Sequence, residues 1–365
     1  MHSHRFVKAG LIHCFFAVSL TAFSSMAAAA DDEESSCGAE PGIRELKKYP
    51  GVYNFYYEND LFAGTDNNYT NGIKLSWVST NLADYIHDPC LPKWMRELNR
   101  FSERLQPGPY ESRNMVVSLG QEMYTPTDRH RRDLITDDRP YAGWLYMGFA
   151  YNARQETKMD TVEIDIGMVG PASLAHQAQD FIHDLRGIDK FEGWDNQLNN
   201  ELGLIYVREK KERVFSSATL DGPKMDAITH YGYALGNVKT YLNGGMEFRI
   251  GTYLPNDFGT SPIRPAADSN APLPANSSRR LLQSGMHAFI SFDVRAVARN
   301  IFLDGNTFSD SHSVDKKYLV GDVAAGIAWQ WPGVKVTYAQ YLRSKEFDGQ
   351  DKAQSYGSLT VSFEY

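Results

Sequence analysis

The chain ends in GSLTVSFEY, Gly357 to Tyr365. Leu359, Val361, Phe363 and Tyr365 alternate with Thr360, Ser362 and Glu364. A period of two marks an extended strand with one apolar and one polar face. A soluble sandwich can contain such a strand. A chain that stops on one, with an aromatic as its last residue, points to a closed sheet in a membrane.

The opposite end supports this. MHSHRFVK carries Arg5 and Lys8, AGLIHCFFAVSLTAF is apolar, and SSMAAAA supplies small residues. That order is the pattern of a secretory signal peptide, with cleavage expected after Ala30. Residues 31–50 then read as a periplasmic tail and 51–365 as the folded part. His13 stands where a lipoprotein signal needs a small residue, and Cys14 lies too early, so a lipid anchor is not indicated. After the signal no apolar run reaches the roughly 18 residues of a membrane helix. Mean hydropathy is −0.44, yet 13% of residues are aromatic, with 21 Tyr. A Tyr-rich secreted chain that is polar on average fits a membrane β-barrel, whose lipid-facing and lumen-facing residues alternate and cancel in any hydropathy window.

The same alternation recurs along the chain. NGIKLSWVS sets Ile73, Leu75 and Trp77 against Lys74 and Ser76. DTVEIDIGM sets Val162, Ile164 and Ile166 against Glu163 and Asp165, and GMEFRIG sets Met246, Phe248 and Ile250 against Glu247 and Arg249. AFISFDVRAV and AAGIAWQWPG repeat the pattern. Spanning strands need about 9–11 residues. The pattern predicts an all-β fold, a transmembrane antiparallel barrel of about twelve strands. The candidates lie near 52–62, 70–80, 114–124, 141–153, 159–169, 198–209, 213–232, 239–252, 285–302, 317–331, 334–345 and 355–365. With both termini periplasmic, the segments 58–70, 125–140, 170–197, 303–316 and 346–354 face outward.

Two long segments fall on the periplasmic side. One holds Cys90 and a short helical pattern of Trp94, Leu98 and Phe101; Cys37 lies in the tail on the same side, so a disulfide between them is expected. The other, LPNDFGTSPIRPAADSNAPLPANSSRR, is Pro-, Ser- and Asn-rich and reads as a flexible turn. One outer segment is unlike a turn. GPASLAHQAQDFIHDLRGI has Pro171 as a start signal and Gly187 as a stop signal, with Leu174, Phe181, Ile182 and Leu185 near helical spacing. It predicts a short helix over the barrel mouth.

The full-chain charge is −8, and about −10 without Arg5 and Lys8, which argues against a nucleic-acid partner. The chain has no G-x-S-x-G elbow, no H-E-x-x-H and no paired C-x-x-C. Candidate chemistry gathers at the rim. ENDLFAGTDNNYTNG, Glu58 to Gly72, holds three carboxylates, four Asn and two Thr between two strand patterns. Asp60 ends the first strand and Thr70 starts the second, so they are expected at one height. Carboxylate, amide and hydroxyl oxygens suit a hard cation such as Ca²⁺. The stretch is not an EF-hand, lacking its sixth-position Gly and later Glu; Asp66 to Asn68 read as loop solvation. Gln179 and His183 are four apart, one turn along one helix face, and a neutral imidazole there is a candidate general base. The loop YTPTDRHRRD carries Arg129, Arg131 and Arg132, which could grip lipid phosphates or simply be solvated.

YENDLFAGTDNNYTNGIKLSW, GQEMYTPTD, DDRPYAGWLY, GMVGPASLAHQAQDFIH, GWDNQLNNE and ARNIFLDGNTF, in this order, resemble the LpxR-like outer-membrane lipid A deacylases. The resemblance runs from about residue 50 to the C-terminus. It implies a twelve-stranded barrel that removes the 3′-linked acyloxyacyl chain of lipid A with calcium, acting on lipopolysaccharide in the outer leaflet as a monomer. It implies His183 as the catalytic His, with Gln179, Asn59, Asp60 and Thr70 in the catalytic set. It also implies Arg131, Arg132 and Tyr124 as substrate contacts. Asp60 and Asp189 are the metal candidates; Asp189 stands where the family has a Glu, and its reach is shorter. The alternatives are an outer-membrane phospholipase, which uses a Ser nucleophile beside its His, and a non-catalytic pore or structural barrel.

Overall fold

The computed structural model describes residues 51–60, 68–82, 84–88, 91, 93–100, 105–217, 223–260, 262–270 and 284–365. Residues 1–50, where the signal peptide, the tail and Cys37 are expected, and Cys90 lie outside them. Twelve strands run in chain order: β1 Val52–Asn59, β2 Asn68–Val78, β3 Ser112–Thr125, β4 Ala142–Arg154, β5 Lys158–Val169 and β6 Glu201–Ser217. They continue as β7 Lys224–Gly236, β8 Lys239–Gly251, β9 Gly285–Asn300, β10 Leu319–Trp331, β11 Val334–Arg343 and β12 Gln354–Glu364. Each pairs antiparallel with its chain neighbours, and β12 closes on β1 from Val52↔Glu364 to Asn59↔Gly357. Closure leaves no edge with unpaired backbone groups, which a strand in lipid could not afford. Twelve candidates become twelve strands. The segment 213–232 is the exception: it straddles the end of β6 and the start of β7, because Lys210, Lys211 and Glu212 continue the β6 ladder.

The alternation sorts residues as the sequence predicts. Ile166, Phe248, Ile290, Phe292 and Val294 are exposed on the outer wall. Lys74, Glu163, Asp165, Glu247 and Arg249 are buried in the lumen. The terminal Tyr365 sits beside Tyr53, ring centroids 4.8 Å apart, and its hydroxyl accepts the Trp77 Nε1–H at 2.6 Å. The last residue thus tightens the seam that β12 and β1 close.

The β8–β9 connection overturns its reading as a flexible turn. Its described part, residues 252–270 without 261, runs up inside the barrel. Asp268 pairs with Lys74 at 2.7 Å, both buried, and accepts bonds from Asn54, Tyr56 and Ser76. Arg264 forks onto Glu209 at 2.6 and 3.1 Å. The Ile263 and Ala266 amides donate to Glu58 and Glu163. Asp257 joins Arg249 and Lys335. The reason is charge: the lumen-facing acids and bases need partners once buried, and this polar segment supplies them. Pro, Ser and Asn made it look like a linker; its Asp and Arg make it a filling.

The connections after the odd strands share one end of the barrel, called the mouth here. Helix α1 (Lys93–Leu98) lies at the other end and buries Met95, leaving Trp94 exposed. At the mouth, helix α2 (Ala175–Arg186) follows a 3₁₀ turn, Pro171–Ser173, and helix α3 (Ile301–Asp304) drops Ile301, Phe302 and Leu303 into the lumen.

Candidate functional site

The helix that carries Gln179 and His183 packs on the outer wall of the barrel, not in its lumen. On β4, Ala142 and Trp144 point inward, so Gly143 points out. A Cβ there would stand 2.3 Å from the Ala175 Cβ and 2.1 Å from the Ser173 Oγ. Only Gly lets α2 approach so closely. Met123 of β3, opposite Gly143 in register, packs with Ala175, Tyr141, Phe191 and Trp194. The outward Gln121 donates to the Ser173 carbonyl at 2.6 Å. The N-terminal end of α2 is thereby fixed on β3 and β4. Gly187 ends the helix in the left-handed region, φ 66°, with its N–H on the His183 carbonyl.

The buried line of α2 is Ala175, Gln179 and His183, at successive i, i+4 positions. The sequence predicted the Gln179–His183 face, and it is this face, not the apolar stripe, that is buried. Phe181 and Leu185 are exposed, because the wall presents polar groups to the helix. Alternation turns Tyr57 and Asn59 of β1 outward, with Asn71 of β2 opposite Asn59. Tyr57 is hydrogen-bonded to the Asn71 side chain and lies within electrostatic reach of Asp60 and Arg186. Arg186 is one turn past His183, so the C-terminal end of α2 reaches the end of β1. Asn59 and Asp60 are both buried. Thr70 arrives by a different device. The β2–β3 register shifts between Tyr69 and Asn71, a bulge that re-aims side chains. The Thr70 hydroxyl then meets the outward Thr125 hydroxyl at 2.7 Å.

Two contacts fix the polarity of the helix groups. His183 Nδ1 is 2.7 Å from the Asp189 carbonyl oxygen. A carbonyl only accepts, so Nδ1 carries the proton and, in the neutral ring, Nε2 is the basic nitrogen. The Trp194 Nε1–H donates to Gln179 Oε1 at 2.7 Å. This fixes the amide, and its buried Nε2 has no partner among the described residues. Phe191 sets its ring edge-on to His183 at 5.8 Å, and Trp194 stacks on His176 at 5.4 Å. Asp189 therefore contributes its main chain to the site; its side chain is exposed. Beyond it, Lys190 bridges Asp184 and Asp180 at 2.8 and 3.3 Å, and the bond to Asp184 holds its ammonium above the ordinary range.

The basic loop lies against this aromatic floor. Arg129 sits over Phe191 at 5.6 Å. Arg132 pairs with Glu192 at 2.6 Å, which holds that carboxyl below its usual range. Arg131 is exposed. Tyr124 is elsewhere. Alternation turns it into the lumen, where it stacks on Phe302 at 4.2 Å and donates to Glu122. The structure thus puts Gln179 and His183 on the buried face of α2, puts Asn59, Asp60 and Thr70 at the β1 and β2 ends beside Tyr57, which Arg186 of α2 reaches, keeps Arg131 and Arg132 in the loop against Phe191 and Glu192, and separates Tyr124. Tyr57, Asn71, Thr125, Phe191 and Trp194 join the site unannounced. Strand alternation could have found Tyr57 and Asn71, since they share the outward face with Asn59. Phe191 and Trp194 carried no such signal.

Among the described residues no three His, Cys, Asp or Glu side chains converge on one point. The donors near the end of β1 are all oxygens or amides: one buried carboxylate, Asp60, with Asn59 and the Thr70 hydroxyl. That donor set fits a hard cation completed by water and ligand oxygens rather than a thiolate or imidazole metal.

The sequence profile of the family described as outer membrane protein LpxR matches residues 14–365. Among solved structures, LpxR from Salmonella typhimurium is similar at 16% identity, covering 86% of this chain and 100% of that one, with a TM-score of 0.67. The β domain of the Bordetella autotransporter BrkA aligns at 7% identity, covering 87% and 98%, with a TM-score of 0.39. No curated protein matches the chain in sequence.

Proposed function

The chain belongs to the LpxR family of outer-membrane proteins, and from that premise we propose that it is a lipid A 3′-O-deacylase working at the outer wall of its barrel. The observation that carries the chemistry is His183. It is buried against the wall, and the Asp189 carbonyl holds its Nδ1–H, leaving Nε2 as the base.

In this reading Nε2 takes a proton from water as the water oxygen bonds to the ester carbonyl carbon. The imidazolium is stabilised through Nδ1–H on Asp189. Negative charge grows on the former carbonyl oxygen, and the Gln179 Nε2–H, already aimed and undersupplied with acceptors, donates to it. When the carbonyl re-forms, the bond to the sugar oxygen breaks and the imidazolium returns its proton to that oxygen. Fatty acid and sugar hydroxyl result, and no covalent intermediate forms. Asn59 and Thr70 orient the water and the ester. Arg131 and Arg132 face the lipid phosphates at the rim. Asp60, with Asn59 and the Thr70 hydroxyl, would hold Ca²⁺, which when bound supplies positive charge to the ester oxygen, while Asp189 serves His183 through its main chain.

Two rivals fit less well. A serine mechanism needs a free hydroxyl beside His183; Ser173, the buried serine of this loop, spends its hydroxyl on the Gly170 carbonyl at 2.6 Å. A pore needs an open lumen, and the β8–β9 segment fills this one. Mass spectrometry of lipid A from cells with and without the protein tests the reading. Loss of one acyloxyacyl unit from the 3′ position is expected, and unchanged lipid A with the folded protein present in the membrane contradicts it.

A further inference from the structure

Helix α2 is built inside out for a helix facing water. Its buried line is polar, Gln179 and His183, while two distinct flanks remain on either side. One flank carries Ala178, Phe181, Ile182 and Leu185 at i, i+3, i+4 and i+7 spacing. Phe181 is 41% exposed and Leu185 74%. The other flank carries His176, Asp180 and Asp184, with Asp180 and Asp184 tied to Lys190. A helix with one flank in the wall, one apolar and one acidic lies with its axis along an interface between hydrocarbon and water.

The outer wall at this end of the barrel is apolar too. The hydrogen-bonded row through Gln121, which holds the turn before α2, passes through Leu145, Met168 and Leu202. Leu202 and Leu204 are exposed on β6, and Ile166 on β5. These are the residues that meet acyl chains in an outer-membrane barrel. We propose that the Phe181–Leu185 flank of α2 is immersed in the hydrocarbon of the leaflet at the mouth, so that the cleft between α2 and the wall opens onto acyl chains while its acidic flank faces water. The membrane placement follows from the barrel and the helix alone; only its meaning for substrate entry rests on the proposed deacylation.

Nitroxide labels test the placement without any activity. Phe181→Cys, Leu185→Cys, Leu204→Cys and Asp184→Cys are each labelled in the full chain, reconstituted into phosphatidylethanolamine–phosphatidylglycerol vesicles. Labels at 181 and 185 are expected to match 204, relaxed by oxygen and shielded from a water-soluble nickel chelate. The label at 184 is expected to be nickel-accessible. Nickel access at 181 and 185 equal to that at 184 overturns the proposal. For entry, Leu185→Asp is expected to slow deacylation of vesicle-bound lipid A at least tenfold while leaving detergent-dispersed lipid A within twofold. Equal slowing in both refutes lateral entry even if the labels lie in lipid, and no hydrolysis by the parent protein refutes the deacylase reading alone.

Discussion

Replacing Trp194 by Phe removes one hydrogen atom that the proposed chemistry needs. The indole is buried, stacked on His176 and packed 5.0 Å from Tyr141, and Phe keeps an aromatic ring in that place. What is lost is the 2.7 Å bond to Gln179 Oε1. An acceptor buried to that degree costs about 1–3 kcal/mol when left unsatisfied. The amide can escape that cost by rotating until its oxygen finds another donor, and its NH₂ then leaves the place the proposed chemistry gives it. Either way the free energy spent aiming the donor is of the same order, and about 1.4 kcal/mol is a factor of ten in rate. The expected loss in kcat is thus roughly 5- to 150-fold, with KM little changed, since the donor acts on charge that develops during reaction. The assay is the time course of fatty-acid release from lipid A by the purified barrel. Heat-modifiable migration on gels confirms that the variant is folded. A folded Trp194→Phe protein with the parental kcat refutes the role given to Gln179.

Further outcomes follow from other parts of the molecule. Gly143→Val drives a side chain into Ser173 and Ala175; the barrel is expected to fold and migrate normally while hydrolysis falls at least tenfold, and parental activity would show that α2 need not sit on β4. Chelation of Ca²⁺ by EGTA is expected to stop hydrolysis reversibly, and Asp60→Asn to raise the Ca²⁺ concentration needed; activity indifferent to both removes the metal from the account. Lys74→Met leaves the Asp268 carboxylate buried without its cation, a loss of about 3–5 kcal/mol. In planar bilayers the parent is expected to be silent, and Lys74→Met combined with Arg264→Met to show channel steps. A conducting parent would mean that the β8–β9 segment does not seal the lumen.

The strands were legible because lipid and lumen impose opposite demands on successive residues, and that contrast is written at every second position from Ile73 to Tyr365. The seam was legible for the same reason. The lumen filling was not, because its identity depends on which charges the strands bury: Asp268 means little until Lys74 is known to face it. The site was half legible. Asn59, Asp60, Thr70, Gln179 and His183 could be singled out, since alternation, helical spacing and family resemblance all bear on them. Where the structure puts them depends on a bulge at Thr70 and a Gly seat at position 143, and neither has a periodic signature. Tyr124 went astray for a plain reason: adjacent strand residues face opposite sides, and it is Thr125, not Tyr124, that shares a side with Thr70.

In the proposed function one imidazole, His183, held by a main-chain carbonyl, hydrolyses the 3′-linked ester. The most direct measurement compares the purified parent with His183→Gln on lipid A, using mass spectrometry to place any acyl loss on the sugar. Loss from the 3′ position is expected with the parent, and intact lipid A with a folded His183→Gln barrel. Equal release by both proteins, or release from another position by the parent, would contradict it.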